Sequence, residues 1–162
     1  VEAVENALQP VEILPGWAVM AILDRPLAED WDARFVELGP IGWLAGQSSR
    51  PGRSEDAGWV LHATPEWSLA HLDLAEEEVC NRLLDAARQL PGTTDFQVEF
   101  AIAHRWRHAR AARPLEQGAI WIESMRLALA GDWCHGSRVE GAFLSGAAAA
   151  GRIMTAAQEP QR

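Results

Sequence analysis

The spacing of apolar positions marks out the elements of this chain. Its first fifteen residues, punctuated by Pro10, Pro15 and Gly16, read as an irregular lead-in or the tail of an earlier element. Residues 17–24, WAVMAILD, form a nearly continuous apolar run of strand length, the pattern of a central strand buried on both faces. After the excursion RPLAEDWDA come three short strand candidates, FVEL, IGWLAGQSS and GWVLHAT. They are split by Gly-Pro and by RPGRSEDAG, a polar cluster suited to a hairpin or an ordered loop. From Asp73 the period changes. DLAEEEVCNRLLDAARQL sets Leu72, Val79, Leu83, Ala86, Ala87 and Leu90 at three- and four-residue steps, which predicts an amphipathic helix. Asp73 and Glu76 read as a capping box with Asp in the Ser/Thr position, the acidic first turn complements the helix dipole, and PGTT stops the element.

Period two returns in DFQVEFAIAHRW. Phe96, Val98, Phe100 and Ile102 fall on one side and Gln97 and Glu99 on the other, so a half-buried strand is expected with the large residues inward. AIWIESM and LALAGDW are two further strand candidates, and a last helix is expected over about 139–157. Strands with one long amphipathic helix inserted, then a strand and a terminal helix, make an α+β pattern with a mixed, largely antiparallel sheet. No internal repeat is present.

That last helix carries little side chain. Gly141, Ser145 and Ala149 share one stripe, with Ala142, Gly146 and Ala150 beside it, although each interior Gly costs about 1 kcal/mol relative to Ala. Such stripes let a backbone approach a sheet or a flat ligand closely; an Ala-rich surface helix is the plainer reading. The helix start offers free N–H groups at the positive end of the dipole, a ready anion site, with Ser137 as a candidate cap. Asp132, expected to end a strand just upstream, can accept hydrogen bonds from ligand hydroxyls. Strand, Gly-Asp, turn and small-residue helix together suit a ligand with polyol, phosphate and an electron-poor ring.

Composition narrows the classes. A chain of 162 residues that is 48% hydrophobic and 23% charged fits one globular domain or slightly more. No run reaches the roughly 18 apolar residues of a membrane span, and no signal segment opens the sequence, so a cytoplasmic protein is expected. All fourteen basic residues are Arg, and eight Trp stand beside no Tyr, which reflects codon composition and carries no functional weight here. The net charge of −9 repels phosphate backbones and argues against a nucleic-acid partner. The exception, HRWRHARAAR at 104–113, reads as a polar strand end running into an exposed loop. Cys80 and Cys134 are expected as free thiols. Asp132, Cys134 and His135, with His104 and His108, lack the spacing of a zinc site, so no metal is expected.

GDW, a short gap and RVEGAFLSGAAAAGRI resemble the C-terminal flavin-binding segment of the flavin amine oxidases. The likeness is greatest to the renalase-like branch, bacterial NAD(P)/FAD-dependent oxidoreductases, with LPGWAVM, SSRPGR, GWVLHATPEWS and HRWRHA in the same order. The resemblance implies that residues 1–126 form a partial substrate-type domain and 127–162 a C-terminal segment of an FAD-binding domain. It places Gly131 and Asp132 by the ribityl and phosphate part of a non-covalent FAD. It directs the N–H groups of Arg138, Val139 and Glu140 to the pyrimidine edge, where donors stabilise charge on the reduced ring. Trp106 would line the substrate cavity, with Arg105 and Trp133 as weaker candidates; for Trp106 a buried core position is an equal alternative.

The sequence departs from the family in one respect. The family's Gly-x-Gly-x-x-Gly dinucleotide-binding unit does not occur in these 162 residues. The resemblance therefore implies a C-terminal half, inactive alone, whose partners are a small-molecule substrate and the missing N-terminal unit, with self-association as a way to cover the bare helix. In that setting the expected activity is hydride transfer from an amine or reduced nicotinamide to flavin and then to oxygen, with no catalytic acid or base identified. A non-enzymatic binding or interaction domain is the alternative, and a hydrolase built on Cys134 and His135 ranks last.

Overall fold

A computed structural model describes residues 1–53 and 58–158, so the middle of the RPGRSEDAG cluster lies outside the described residues. Along the chain run α1 (Glu2–Leu8), β1 (Ile13–Leu23), β2 (Ala33–Phe35), β3 (Ile41–Gly46), β4 (Gly58–Ala63), α2 (Pro65–Ala70), α3 (Glu76–Arg88) and β5 (Val98–Ala111). There follow β6 (Ile120–Ile122), a 3-10 turn (Glu123–Met125), β7 (Leu127–Leu129), α4 (Asp132–His135) and α5 (Val139–Gln158). The architecture is α+β with antiparallel pairing, as the alternation of periods implies. Two compact units result, Pro15–Ala109 and a second made of Val1–Leu14 with Arg110–Arg162, a division drawn earlier in the chain than the 126/127 boundary.

In the first unit the strands lie in the order β2-β3-β4-β1-β5, and the β1/β4, β2/β3 and β3/β4 pairs are antiparallel. One face of this sheet is the core. Val19 stands opposite Leu61 and Leu61 opposite Leu44, and on them pack Val79, Leu83, Leu84 and Ala87 of α3. The four-residue spacing of Val79, Leu83 and Ala87 gives α3 its buried stripe, as its sequence predicts. Its start differs from expectation. Ala75 is the N-cap and makes no side-chain cap bond, so the Asp73–Glu76 capping box does not form. The Asp73 carboxylate instead lies 3.7 Å from the Arg105 guanidinium. Helix α2 was not foreseen although its signal is present: Thr64 Oγ1 accepts from the Trp67 N–H at 3.2 Å, and Pro65 fills the first helical position.

The other face of the sheet is open, which corrects two expectations. β1 is buried on both faces only around Trp17–Val19; beyond it Met20 and Ile22 point outward. In β5 the expected side faces the core only at the start, where Phe96 is buried and Val98 packs on the core; further on Ala101 and Ala103 take the core side and Phe100, Ile102 and Trp106 the open face. The strand has two apolar faces, one bulky and one of alanines. The alanine side lies toward α3, and Phe96, just before the strand, supplies the buried ring. The Arg-rich segment is strand as far as Ala111 rather than loop. β2 is Ala33–Phe35, so FVEL lies mostly past it.

In the second unit β6 and β7 form a short antiparallel hairpin, Ile120 opposite Leu129 and Ile122 opposite Leu127. Its 3-10 turn closes on Arg126 in the left-handed region, φ 47°. Helix α5 packs on this hairpin and on α4, and α1 packs on β6. The irregular lead-in is thus a helix over Glu2–Leu8, started by two acidic residues in its first turn. Asp132 opens α4 instead of ending a strand. Helix α5 buries Gly141, Ser145, Ala149 and Ala156, the small stripe read from the sequence. Among the described residues no helix is long and apolar enough to cross a membrane.

Candidate functional site

The second unit gathers six of the eight residues singled out: Gly131, Asp132, Trp133, Arg138, Val139 and Glu140 lie on α4, the turn after it and the first turn of α5. Gly131 is extended and caps α4, and its N–H donates to Ser145 Oγ at 3.0 Å. A Cβ at Gly131 would overlap the Trp133 indole, so only glycine lets that ring lie against the turn. Trp133 therefore shields the Gly131 backbone. The α4 carbonyls are held from a second direction: the Leu115 N–H donates to Trp133 O at 2.9 Å and the Gln117 N–H to Cys134 O at 3.0 Å. Asp132 is left half-exposed, and its carboxylate takes part in none of the ion pairs among the described residues.

Between α4 and α5 the chain turns within three residues. The Gly136 N–H donates to Asp132 O at 2.8 Å, and the Arg138 N–H donates back to Gly136 O at 2.6 Å. Gly141 lies so close to this turn that a Cβ there would overlap the Gly136 carbonyl oxygen. Ser137 does not cap the helix: its hydroxyl faces Ala111 O at 3.4 Å. The Ala142 N–H is the first in α5 to find an intrahelical acceptor, Arg138 O at 3.1 Å. The N–H groups of Val139 and Glu140 have no acceptor among the described residues, and Val139 is 91% exposed. An open first turn offers N–H donors, and the Asp132 carboxylate, seven residues before it and outside the ion pairs among the described residues, offers an acceptor.

Trp106 and Arg105 belong to the first unit and point to opposite faces of β5. Trp106 is 54% exposed, which removes the core-aromatic alternative. It lies edge-on to His104, centroids 4.5 Å apart, in an open apolar surface with Met20, Ile22, Phe100 and Ile102. Arg105 is turned inward. It donates to Leu72 O at 2.7 Å and lies 5.5 Å over the Trp17 ring, a role that ties β5 to the residues before α3.

Other candidates are separated by the fold. Cys134 is fully buried, so no external substrate reaches its thiol, while the neighbouring His135 is exposed. His104 and His108 share a strand, where four residues span about 13 Å, too far for one metal ion. Burial, then Glu76 and Glu77, push the Cys80 thiol up, which keeps it protonated at neutral pH. Among the described residues no three His, Cys, Asp or Glu side chains converge on a metal position. A cavity of about 290 Å³ beside Cys80, lined also by Glu76, Glu77, Asn81 and Ala101, is remote in sequence from the glycine turn and offers a ligand only two carboxylates, a thiol and an amide.

Sequence reasoning missed Ser145 as anything more than a small residue on a stripe; the one sign was a hydroxyl among glycines and alanines on a face that proved buried. It also missed the loop at 115–118, whose role is carried by backbone alone. Compared with known protein families, residues 18–154 match the family model described as flavin containing amine oxidoreductase, a span covering most of both units.

Proposed function

Because this chain belongs to the flavin-containing amine oxidoreductase family, we propose that its residues 131–140 hold the isoalloxazine and ribityl end of FAD and that the open face of its five-stranded sheet meets the substrate. The observation that carries the reading is the Gly131–Glu140 segment itself. The Asp132 carboxylate and the Val139 and Glu140 N–H groups, without partners among the described residues, follow one another around a turn that Gly131 and Ser145 anchor from behind, so they are pre-organised. Asp132 accepts from ribityl hydroxyls, and the Val139 and Glu140 N–H groups donate to the electron-poor edge of the ring, with Arg138 beside them. When bound, the flavin supplies hydride acceptance from a small reduced substrate, of amine or reduced nicotinamide type, and passes the electrons to oxygen. This chain's own part is binding and orientation: Trp106, Phe100 and their aliphatic neighbours offer the donor an apolar, partly aromatic surface. The renalase-like branch remains our reading of the finer relationship.

The adenosine and pyrophosphate end of FAD calls for a Gly-x-Gly-x-x-Gly unit, which these 162 residues do not contain. We therefore expect FAD to bind this chain weakly unless such a unit is supplied, and the chain to be inactive without it. Asp132→Ala removes a charged acceptor, worth about 1.5–3 kcal/mol, or roughly 10- to 100-fold in flavin affinity. Trp106→Ala leaves that affinity within about twofold and, once the missing unit is supplied, slows flavin reduction by the donor. Flavin binding by Asp132→Ala equal to that of the unaltered chain contradicts the assignment.

A further inference from the structure

We infer that Ser145 is a positioning residue for the flavin edge, acting through the backbone of Gly131; this rests on the flavin reading of residues 131–140. Ser145 and Ser68 are the two buried polar side chains among the described residues, and Ser145 has no exposed surface. A serine inside a helix ordinarily bonds back to the carbonyl four residues earlier or faces water. Ser145 does neither. Its oxygen accepts from the Gly131 N–H at 3.0 Å, and its one proton goes to Gly118 O.

Both partners are backbone groups of segments that enclose α4. Gly118 ends the loop whose Leu115 and Gln117 N–H groups bind the carbonyls of Trp133 and Cys134. Gly131 caps α4 directly before Asp132. One hydroxyl therefore joins three segments: helix α5, the loop at 115–118 and the Gly-Asp turn. Alanine would fill nearly the same volume with better helix propensity, so the hydroxyl does not serve the helix. Its effect is to fix Gly131 in its extended conformation under the Trp133 indole, which sets the direction in which Asp132 presents its carboxylate. Without it, a partly buried N–H and a partly buried carbonyl lose their partners and the turn is free to relax.

The test follows amide exchange residue by residue in Ser145→Ala, together with the amide shifts produced by adding FAD. Expected is a Gly131 amide exchanging at least tenfold faster, with amides of the β6–β7 hairpin changing less than threefold. FAD-induced shifts at 131–133 should need roughly five- to tenfold more FAD. Ser145→Cys, with a weaker hydrogen-bonding group in similar volume, should give an intermediate Gly131 rate and serves where the alanine variant does not fold. A Gly131 rate that stays unchanged, or that rises no more than the rest of the unit, while the unaltered chain responds normally to FAD, overturns the clamp alone. An unaltered chain whose 131–140 amides ignore FAD, with Gly131 released in the alanine variant, overturns the flavin reading and with it this role.

Discussion

Helix α5 contains three glycines, and replacing each by alanine should not have one effect but two of opposite sign. At Gly146 and Gly151 an added Cβ meets nothing within 4 Å, so only the backbone term remains. Alanine there restricts the unfolded chain and should stabilise by about 0.5–1 kcal/mol. At Gly141, in the first turn, that gain is smaller, and the Cβ overlaps the carbonyl oxygen of Gly136. This oxygen cannot swing aside as a side-chain tip would: it accepts the Arg138 N–H at 2.6 Å, and the Gly136 N–H is bound to Asp132 O at 2.8 Å. Relief requires the α4–α5 turn to shift, a strain on the order of 1–3 kcal/mol, so the net expectation is about 1–2 kcal/mol of destabilisation. Urea unfolding followed by far-UV circular dichroism measures all three, with the slope checked for constancy across the variants. Since the turn bears Arg138 and leads into Val139, Gly141→Ala should also weaken FAD-induced amide shifts, while Gly146→Ala and Gly151→Ala leave them alone. If Gly141→Ala proves as stable as the other two, the close approach of turn and helix described here is wrong.

Other expectations are independent of the flavin. Arg105→Ala loses a bond to Leu72 O and the face of Trp17 and should destabilise by about 1–2 kcal/mol, whereas Asp73→Asn, at a side chain 89% exposed, should change stability by less than about 0.5 kcal/mol in the same unfolding assay. The Gln97 N–H, donating at 2.7 Å, and then Arg25 hold the Asp24 carboxyl below its usual range. Its folded value is depressed, so its contribution is full above the ordinary carboxylate range and is lost as pH falls through that lower value; Asp24→Asn should flatten the acid limb of stability against pH. Both thiols should resist a disulfide reagent at neutral pH in the native protein and react fully in denaturant, since Cys80 and Cys134 are buried.

The helices α3 and α5 were legible because each repeats a simple spacing, Val79–Leu83–Ala87 in one and Gly141–Ser145–Ala149 in the other. The orientation of β5 was not, because a strand whose alternate faces are Phe100–Ile102 and Ala101–Ala103 carries no period that says which one a helix will cover. The lead-in helix α1 escaped for the opposite reason: its seven residues bury nothing fully, so they leave no apolar stripe to read. At the candidate site the glycines and Asp132 could be picked out by type. What ties them together is the bond of the Gly131 N–H to the Ser145 hydroxyl, and the backbone bonds of α4 to the loop at 115–118, all between residues distant in sequence. Backbone groups are the same in every residue and leave no mark on composition or spacing.

The most direct measurement is residue-resolved: titrate FAD into this chain to millimolar concentration and record which backbone amides move. Expected are weak, saturable shifts confined to the Gly131–Asp132 turn and the first turn of α5 at Val139 and Glu140, diminished in Asp132→Ala. Shifts clustered elsewhere, or none at concentrations where free flavin remains in solution, would contradict the flavin reading.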